Sequence, residues 1–110
     1  MSNCIHGSEA PDPVIIEIHE SQAGQREGVE IWRHKCCYCS FAQGEALGRV
    51  QAIAPGGNAV CRVTGQRADW NVMDALPPSQ AGAGRHHCAI CAFHEGFKRG
   101  RALAEAANKS

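Results

Sequence analysis

Two pairs of cysteines in this chain have the C-x-x-C spacing that structural zinc sites use. The first pair is Cys36 and Cys39, and the second pair is Cys88 and Cys91. Each pair places two thiolates on one tight turn, and two such turns can close a tetrahedral shell with Zn–S distances of about 2.3 Å. We therefore predict that these four cysteines bind one Zn²⁺ ion.

The two pairs belong to an internal repeat. Residues 33–49 and 85–101 share the pattern R-H-x-C-x-x-C-x-F-x-x-G-x-x-x-G-R at a constant offset of 52 residues. Eight positions match without a gap, and such self-similarity indicates two structural units of one design. We predict repeat units of about residues 29–54 and 81–107.

Histidines and a further cysteine offer alternative ligands. His34 and His86 stand two residues before the first cysteine of each pair, so they can complete two mixed metal sites instead of one. Alternatively, they hydrogen-bond the metal ligands from outside the shell. Cys4 and His6 can contribute to a second site of this kind. The sequence favours the single four-cysteine zinc site over these arrangements.

The cysteine count and the absence of targeting segments indicate a reducing setting. Seven cysteines cannot all pair in disulfides. The first ten residues lack the apolar core of a signal peptide, and no apolar run is long enough to span a membrane. We expect a cytoplasmic protein, where cysteine clusters bind metal more often than they form disulfides. Of the other cysteines, Cys37 is expected to take no part, and Cys61, in an apolar strand, to be packed.

The chain is predicted to form a small α+β fold. Residues 1–13 read as a flexible acidic tail, and residues 14–110 as a single zinc-stabilised domain. Short strands are predicted at residues 14–18, 29–32 and 59–64, forming a short antiparallel sheet, while residues 68–76 are ambiguous and compatible with a short helix. Apolar residues at helical spacing predict one helix over about residues 41–54 and another over about 92–107. Each helix is opened by a C-x-x-C turn, and zinc joins the two.

Paired glycines recur inside both predicted helices. Gly44 and Gly48 lie in the first helix, and Gly96 and Gly100 lie at the equivalent positions of the second. A glycine in a helix interior costs about 0.5–1 kcal/mol relative to alanine, so a compensating contact is expected. We predict that the two helices cross with their glycines in contact, beneath the zinc. The alternative is that the glycines only make room for a neighbouring side chain.

Charge is zero overall but unevenly distributed. Residues 1–30 carry a net charge of −5, whereas residues 85–110 carry +3. The basic residues can follow a phosphate backbone, or they can form an ordinary solvated face. The partner is therefore left open between nucleic acid and protein, without a membrane, and the chain as a monomer or homodimer. The candidate nucleic-acid contacts are Arg33, Arg85, His87, Lys98, Arg99 and Arg101.

A closed four-cysteine shell predicts a non-catalytic structural-zinc module that binds a macromolecule. Residues 29–39, V-E-I-W-R-H-K-C-C-Y-C, also resemble the thioredoxin and glutaredoxin pattern of a strand, a tryptophan and a C-x-x-C that opens a helix. Pro77 follows at a plausible distance for the proline of that family. The resemblance implies thiol–disulfide exchange by Cys36 and Cys39, with the helix N-terminus lowering the pKa of Cys36. Residues 79–84 depart from the family because they cannot form the strand that follows its proline.

The two C-x-x-C pairs further resemble those of HNH-type nucleases. In that family a ββα insert between the pairs carries a histidine that acts as general base. This chain has no histidine between His34 and His86, so the resemblance covers the four cysteines alone. It implies at most a degenerate nuclease.

Overall fold

The structure is a computed structural model that describes residues 17–18, 35–61, 64–77 and 87–108. The helices and strands of this part are, in chain order, α1 (Cys37–Val50), β1 (Ala59–Val60), β2 (Arg67–Ala68), α2 (Trp70–Asp74) and α3 (Ala89–Asn108). Helices α1 and α3 pack on each other, and β1 and β2 form an antiparallel sheet. The predicted small α+β class is confirmed. None of the described helices is long and apolar enough to cross a membrane.

Each C-x-x-C turn opens a helix, as predicted. Cys36 is the N-cap of α1, and its Sγ accepts a hydrogen bond from the Cys39 backbone N–H at 3.4 Å. Cys88 directly precedes α3, and its carbonyl accepts from the backbone N–H of Ala92 at 3.0 Å. Both helices begin earlier than the apolar spacing predicted, at residues 37 and 89. The physical reason is that the first cysteine of each pair accepts a hydrogen bond from a backbone N–H of the first helical turn, so the helix starts inside the C-x-x-C motif.

Helix α1 ends at Val50, four residues earlier than predicted. Gln51 is extended, and its N–H still donates to the Leu47 carbonyl at 3.0 Å. Arg101 of α3 donates from Nη1 to the carbonyls of Gly48, at 3.1 Å, and of Gln51, at 3.2 Å. Because the last carbonyls of a helix have no intrahelical donor, this guanidinium stabilises the end of α1.

The contact between α1 and α3 is made by backbone at the glycines. A Cβ placed on Gly44 would overlap the Phe93 carbonyl group, with the Phe93 carbonyl carbon at 2.9 Å. A Cβ on Gly96 would overlap the Phe41 carbonyl group in the same way, with its carbon at 2.8 Å. These separations leave no room for any side chain, so the predicted close crossing of the two helices is confirmed.

A second pair of glycines extends this contact by one turn. A Cβ on Gly48 would overlap the carbonyl of Phe97, and one on Gly100 would overlap the carbonyl of Glu45. Each glycine therefore faces a carbonyl that lies three residues before the partner helix's glycine, rather than the glycine itself. The four contacts come in two equivalent pairs with the offset of 52 residues.

The sheet is a short hairpin. Ala59 pairs with Ala68, and Val60 pairs with Arg67. In the connecting turn, Gly65 has a φ of 77°, a left-handed conformation that glycine adopts without steric cost. Of the described residues in the predicted strand 59–64, only Ala59 and Val60 are in a strand.

The other predicted elements are a strand that the structure does not confirm, two segments that it does not describe, and a short helix that it contains. Residues 17–18 end the predicted first strand, and they are not in strand conformation. The tail 1–13 and the predicted strand 29–32 lie outside the described residues. The ambiguous segment 68–76 contains α2, whose N-cap Asp69 accepts from the backbone N–H of Asn71 at 2.7 Å and of Val72 at 3.4 Å.

We expect Gly44→Ala and Gly96→Ala each to lower the melting temperature. Overpacking a close contact costs about 1–3 kcal/mol, which outweighs the gain of up to about 1 kcal/mol that alanine brings to an exposed helix. Thermal unfolding followed by circular dichroism measures the sign. Gly56→Ala is the control, because an added Cβ there meets no described atom within 4 Å. A higher melting temperature for both helix variants would contradict the close crossing.

Candidate metal centre

Three buried cysteines lie together at the start of α3. The Sγ atoms of Cys61, Cys88 and Cys91 are all within 4.8 Å of one another, and those of Cys61 and Cys91 are 3.7 Å apart. The three residues are 0%, 1% and 5% exposed. None of the three is part of a disulfide. Three soft sulfur donors converging on one buried point can hold a metal ion.

Two structural elements bring this cluster together. Cys88 precedes α3 and Cys91 lies in its first turn, a spacing that places both side chains on one side of the helix start. Cys61 directly follows β1. Its N–H donates to the Gln66 carbonyl at 2.9 Å and its carbonyl accepts from the Gly65 N–H at 2.8 Å, so the hairpin turn fixes its position.

The surroundings of Cys88 favour its protonated form when no cation is present. A hydrogen bond with Cys91, together with burial, raises the pKa of Cys88 above its ordinary value. Thr64 adds a hydroxyl whose Oγ1 is 3.2 Å from the Cys91 Sγ. A bound cation supplies the opposite charge that favours thiolates, so metal binding at this site displaces protons.

Cys37 contacts the segment that carries Cys88. Its Sγ donates a hydrogen bond to the His87 carbonyl at 3.1 Å. Burial, with a smaller contribution from the neighbouring Cys36, raises the pKa of Cys37 to about 12. Cys37 is therefore a neutral hydrogen-bond donor near neutral pH, a role that the sequence analysis did not assign to it.

The first C-x-x-C pair lies outside the three-sulfur cluster. Cys36 is fully buried and Cys39 is half-buried. Among the described residues, the metal-competent group within 4.8 Å consists of Cys61, Cys88 and Cys91, without Cys36 or Cys39. The structure thus brings two of the four predicted ligands together, and the four-cysteine shell remains a prediction.

Cys61 is the site residue that sequence reasoning missed. It has no partner at C-x-x-C spacing and stands among apolar residues, both of which favoured a packed side chain. A usable signal was its place at the end of a strand and just before a glycine turn, where a side chain can face a neighbouring element. Only the tertiary fold shows that this element is the start of α3.

The predicted basic residues that the structure describes have partners within the chain. Lys98 forms an ion pair with Glu95 at 2.9 Å. The Arg99 guanidinium lies over the Phe41 ring, 4.7 Å from its centroid. Arg101 caps α1, as described above. Contact of these residues with nucleic acid remains a prediction.

Of the remaining predicted ligands and contacts, the structure describes His87 alone. His87 is half-buried, and a nitrogen of its ring lies against the Ile18 carbonyl. The remaining candidates fall outside the described residues; they are Cys4, His6, Arg33, His34, Arg85 and His86.

Comparison of the whole chain with known protein families, with curated proteins and with solved structures finds no match in any of the three. The functional interpretation of the cysteine cluster therefore depends on its own geometry.

Proposed function

We propose that this chain is a non-catalytic zinc module in which Cys61, Cys88 and Cys91 hold a structural Zn²⁺ ion. The observation that supports this most directly is the convergence of three buried Sγ atoms within 4.8 Å. Sulfur-rich buried sites favour zinc because thiolates are soft ligands. The d-electrons of Zn²⁺ impose no geometry of their own, so the ion adopts the tetrahedral arrangement that such sites offer. A structural role fits a cluster that lies where α3, the hairpin and the start of α1 meet.

The ligand shell has two candidate compositions. Structural zinc is almost always four-coordinate, so the cluster requires one further ligand. The shell predicted from sequence instead uses Cys36 and Cys39 with Cys88 and Cys91. The two sets share the second C-x-x-C pair. One set adds Cys61 and the other adds Cys36 and Cys39, so matched serine variants at Cys61 and Cys36 distinguish them.

We expect purified protein to contain one zinc per chain, measured by elemental analysis together with native mass spectrometry. Cys61→Ser is expected to lose the zinc and Cys36→Ser to retain it, since only the first removes a sulfur from the observed cluster. The reverse outcome would support the shell predicted from sequence. Two zinc ions per chain would support mixed sites that use His34 and His86.

Metal and fold are expected to be coupled. Structural zinc contributes on the order of 10 kcal/mol of apparent binding energy, comparable to the entire stability of a small domain. Cys88→Ser should therefore give a largely unfolded chain. A near-native circular dichroism spectrum and an unchanged unfolding midpoint for this variant would exclude a structural role for the ion.

The exposed surface favours a protein as the macromolecular partner. Val50 and Ile53 are 78% and 80% exposed, at the end of α1. Leu103, which is 41% exposed, lies with Val50 on a groove of about 540 Å³ between the ends of α1 and α3. Exposed apolar residues that line one groove are typical of protein contacts, whereas Lys98, Arg99 and Arg101 already have partners in the chain.

We expect labelled single- and double-stranded oligonucleotides to show no binding in a fluorescence anisotropy titration at low ionic strength. Phosphate contacts with lysine and arginine strengthen steeply as salt is lowered, so these conditions favour detection. Tight binding that weakens with added salt would favour nucleic acid over protein. Lys98→Ala with Arg99→Ala would then be the variant that tests the predicted contacts.

A thiol–disulfide role is the second candidate, and one contact favours it. Cys36 caps α1, and its backbone N–H donates to the Pro77 carbonyl at 2.8 Å, which joins the C-x-x-C turn to the proline segment. The thioredoxin-like resemblance likewise implies a proline close to the C-x-x-C turn. Purified protein that lacks zinc and carries a Cys36–Cys39 disulfide would support this role against the zinc module.

A further inference from the structure

We infer that Ser40 and Cys37 of α1 are positioning residues for the metal centre, acting through the backbone on either side of Cys88. The inference depends on the proposed zinc site and identifies the residues that orient it. Both side chains reach across the helix crossing to carbonyl groups of the neighbouring turn. Neither was assigned a role from the sequence.

Two hydrogen bonds hold the carbonyl groups of the residues on either side of Cys88. Ser40 Oγ donates to the Ala89 carbonyl at 2.7 Å, and Cys37 Sγ donates to the His87 carbonyl at 3.1 Å. Ser40 is a fully buried polar residue, with 0% exposure, so its hydroxyl cannot use water as a partner. Fixing the carbonyls before and after Cys88 fixes the backbone that aims its Sγ at Cys61 and Cys91.

The internal repeat argues that these donors are not required for packing alone. The positions equivalent to Cys37 and Ser40 in the second unit are Ala89 and Ala92, 52 residues later. Both alanines are buried in the same helix contact, and neither carries a side-chain donor. At these two pairs of equivalent positions the side-chain hydrogen bonds therefore run in one direction only, from the first helix to the second C-x-x-C turn, where Cys61 also lies.

Groups that orient metal ligands from outside the shell typically change metal affinity by about ten- to a hundredfold. We expect Ser40→Ala to weaken zinc affinity by about that factor, measured by competition with a chelator. Co²⁺ substitution provides a second readout, since its visible bands report the ligand geometry. We expect these bands to shift in Ser40→Ala because Cys88 is no longer held in one orientation.

Gly48→Ala is the matched control, because its Cβ would overlap the Phe97 carbonyl one turn beyond Gly44, away from the cluster. It should lower the melting temperature with little change in the Co²⁺ bands. If Ser40→Ala weakens zinc binding no more than Gly48→Ala does, for an equal loss of melting temperature, the positioning role is wrong. This result would leave the zinc site itself intact, whereas failure of the proposed function would appear as wild-type protein without bound zinc.

Cys37→Ala separates positioning from direct ligation. A positioning role predicts weaker affinity with undiminished sulfur-to-cobalt charge-transfer absorption at saturation. Loss of absorption equivalent to one thiolate would instead make Cys37 a ligand and would overturn its assignment here.

Discussion

The contact on which the rest of this structure depends is the backbone crossing of α1 and α3. Gly44 and Gly96 allow the carbonyls of Phe93 and Phe41 to approach where a side chain would otherwise stand. Glycines in a helix interior reduce helix propensity, and this cost is offset when the helices bury their faces against each other. Gly44 and Gly96 are each the eighth residue of their helix, and the carbonyls that they contact belong to the fifth. Because equivalent positions near the start of each helix meet, the contact also brings the two N-termini, and therefore both C-x-x-C turns, close together.

From this arrangement the cysteine cluster follows. A helix N-terminus held against another helix cannot move freely, so Cys88 and Cys91 present their sulfurs in a fixed direction. The hairpin turn then brings Cys61 to the same point, within 4.8 Å of both. A domain with a small core gains most from a link of this kind, because one metal ion can join two segments that are distant in sequence. In the proposed zinc module, the cluster thus connects local backbone geometry to the stability of the whole domain.

The sequence predicted the features that depend on local spacing. The repeated C-x-x-C motif identified the start of both helices, and the paired glycines predicted their close contact. The sequence could not predict which cysteines converge. Their convergence depends on the turn between β1 and β2, because this turn sets the position of Cys61. The end of α1 was also missed, since Arg101 stabilises it from a helix 50 residues further along the chain. Periodicity describes one helix at a time and contains no information on such a cap.

We propose that sulfur atoms of Cys61, Cys88 and Cys91 hold zinc in the folded protein. Zinc K-edge X-ray absorption of the purified protein tests it most directly, because the method reports the type and distance of the atoms around the ion. We expect a coordination shell dominated by sulfur at about 2.3 Å. A shell made only of nitrogen and oxygen at about 2.0–2.1 Å, or protein that contains no zinc at all, would contradict it.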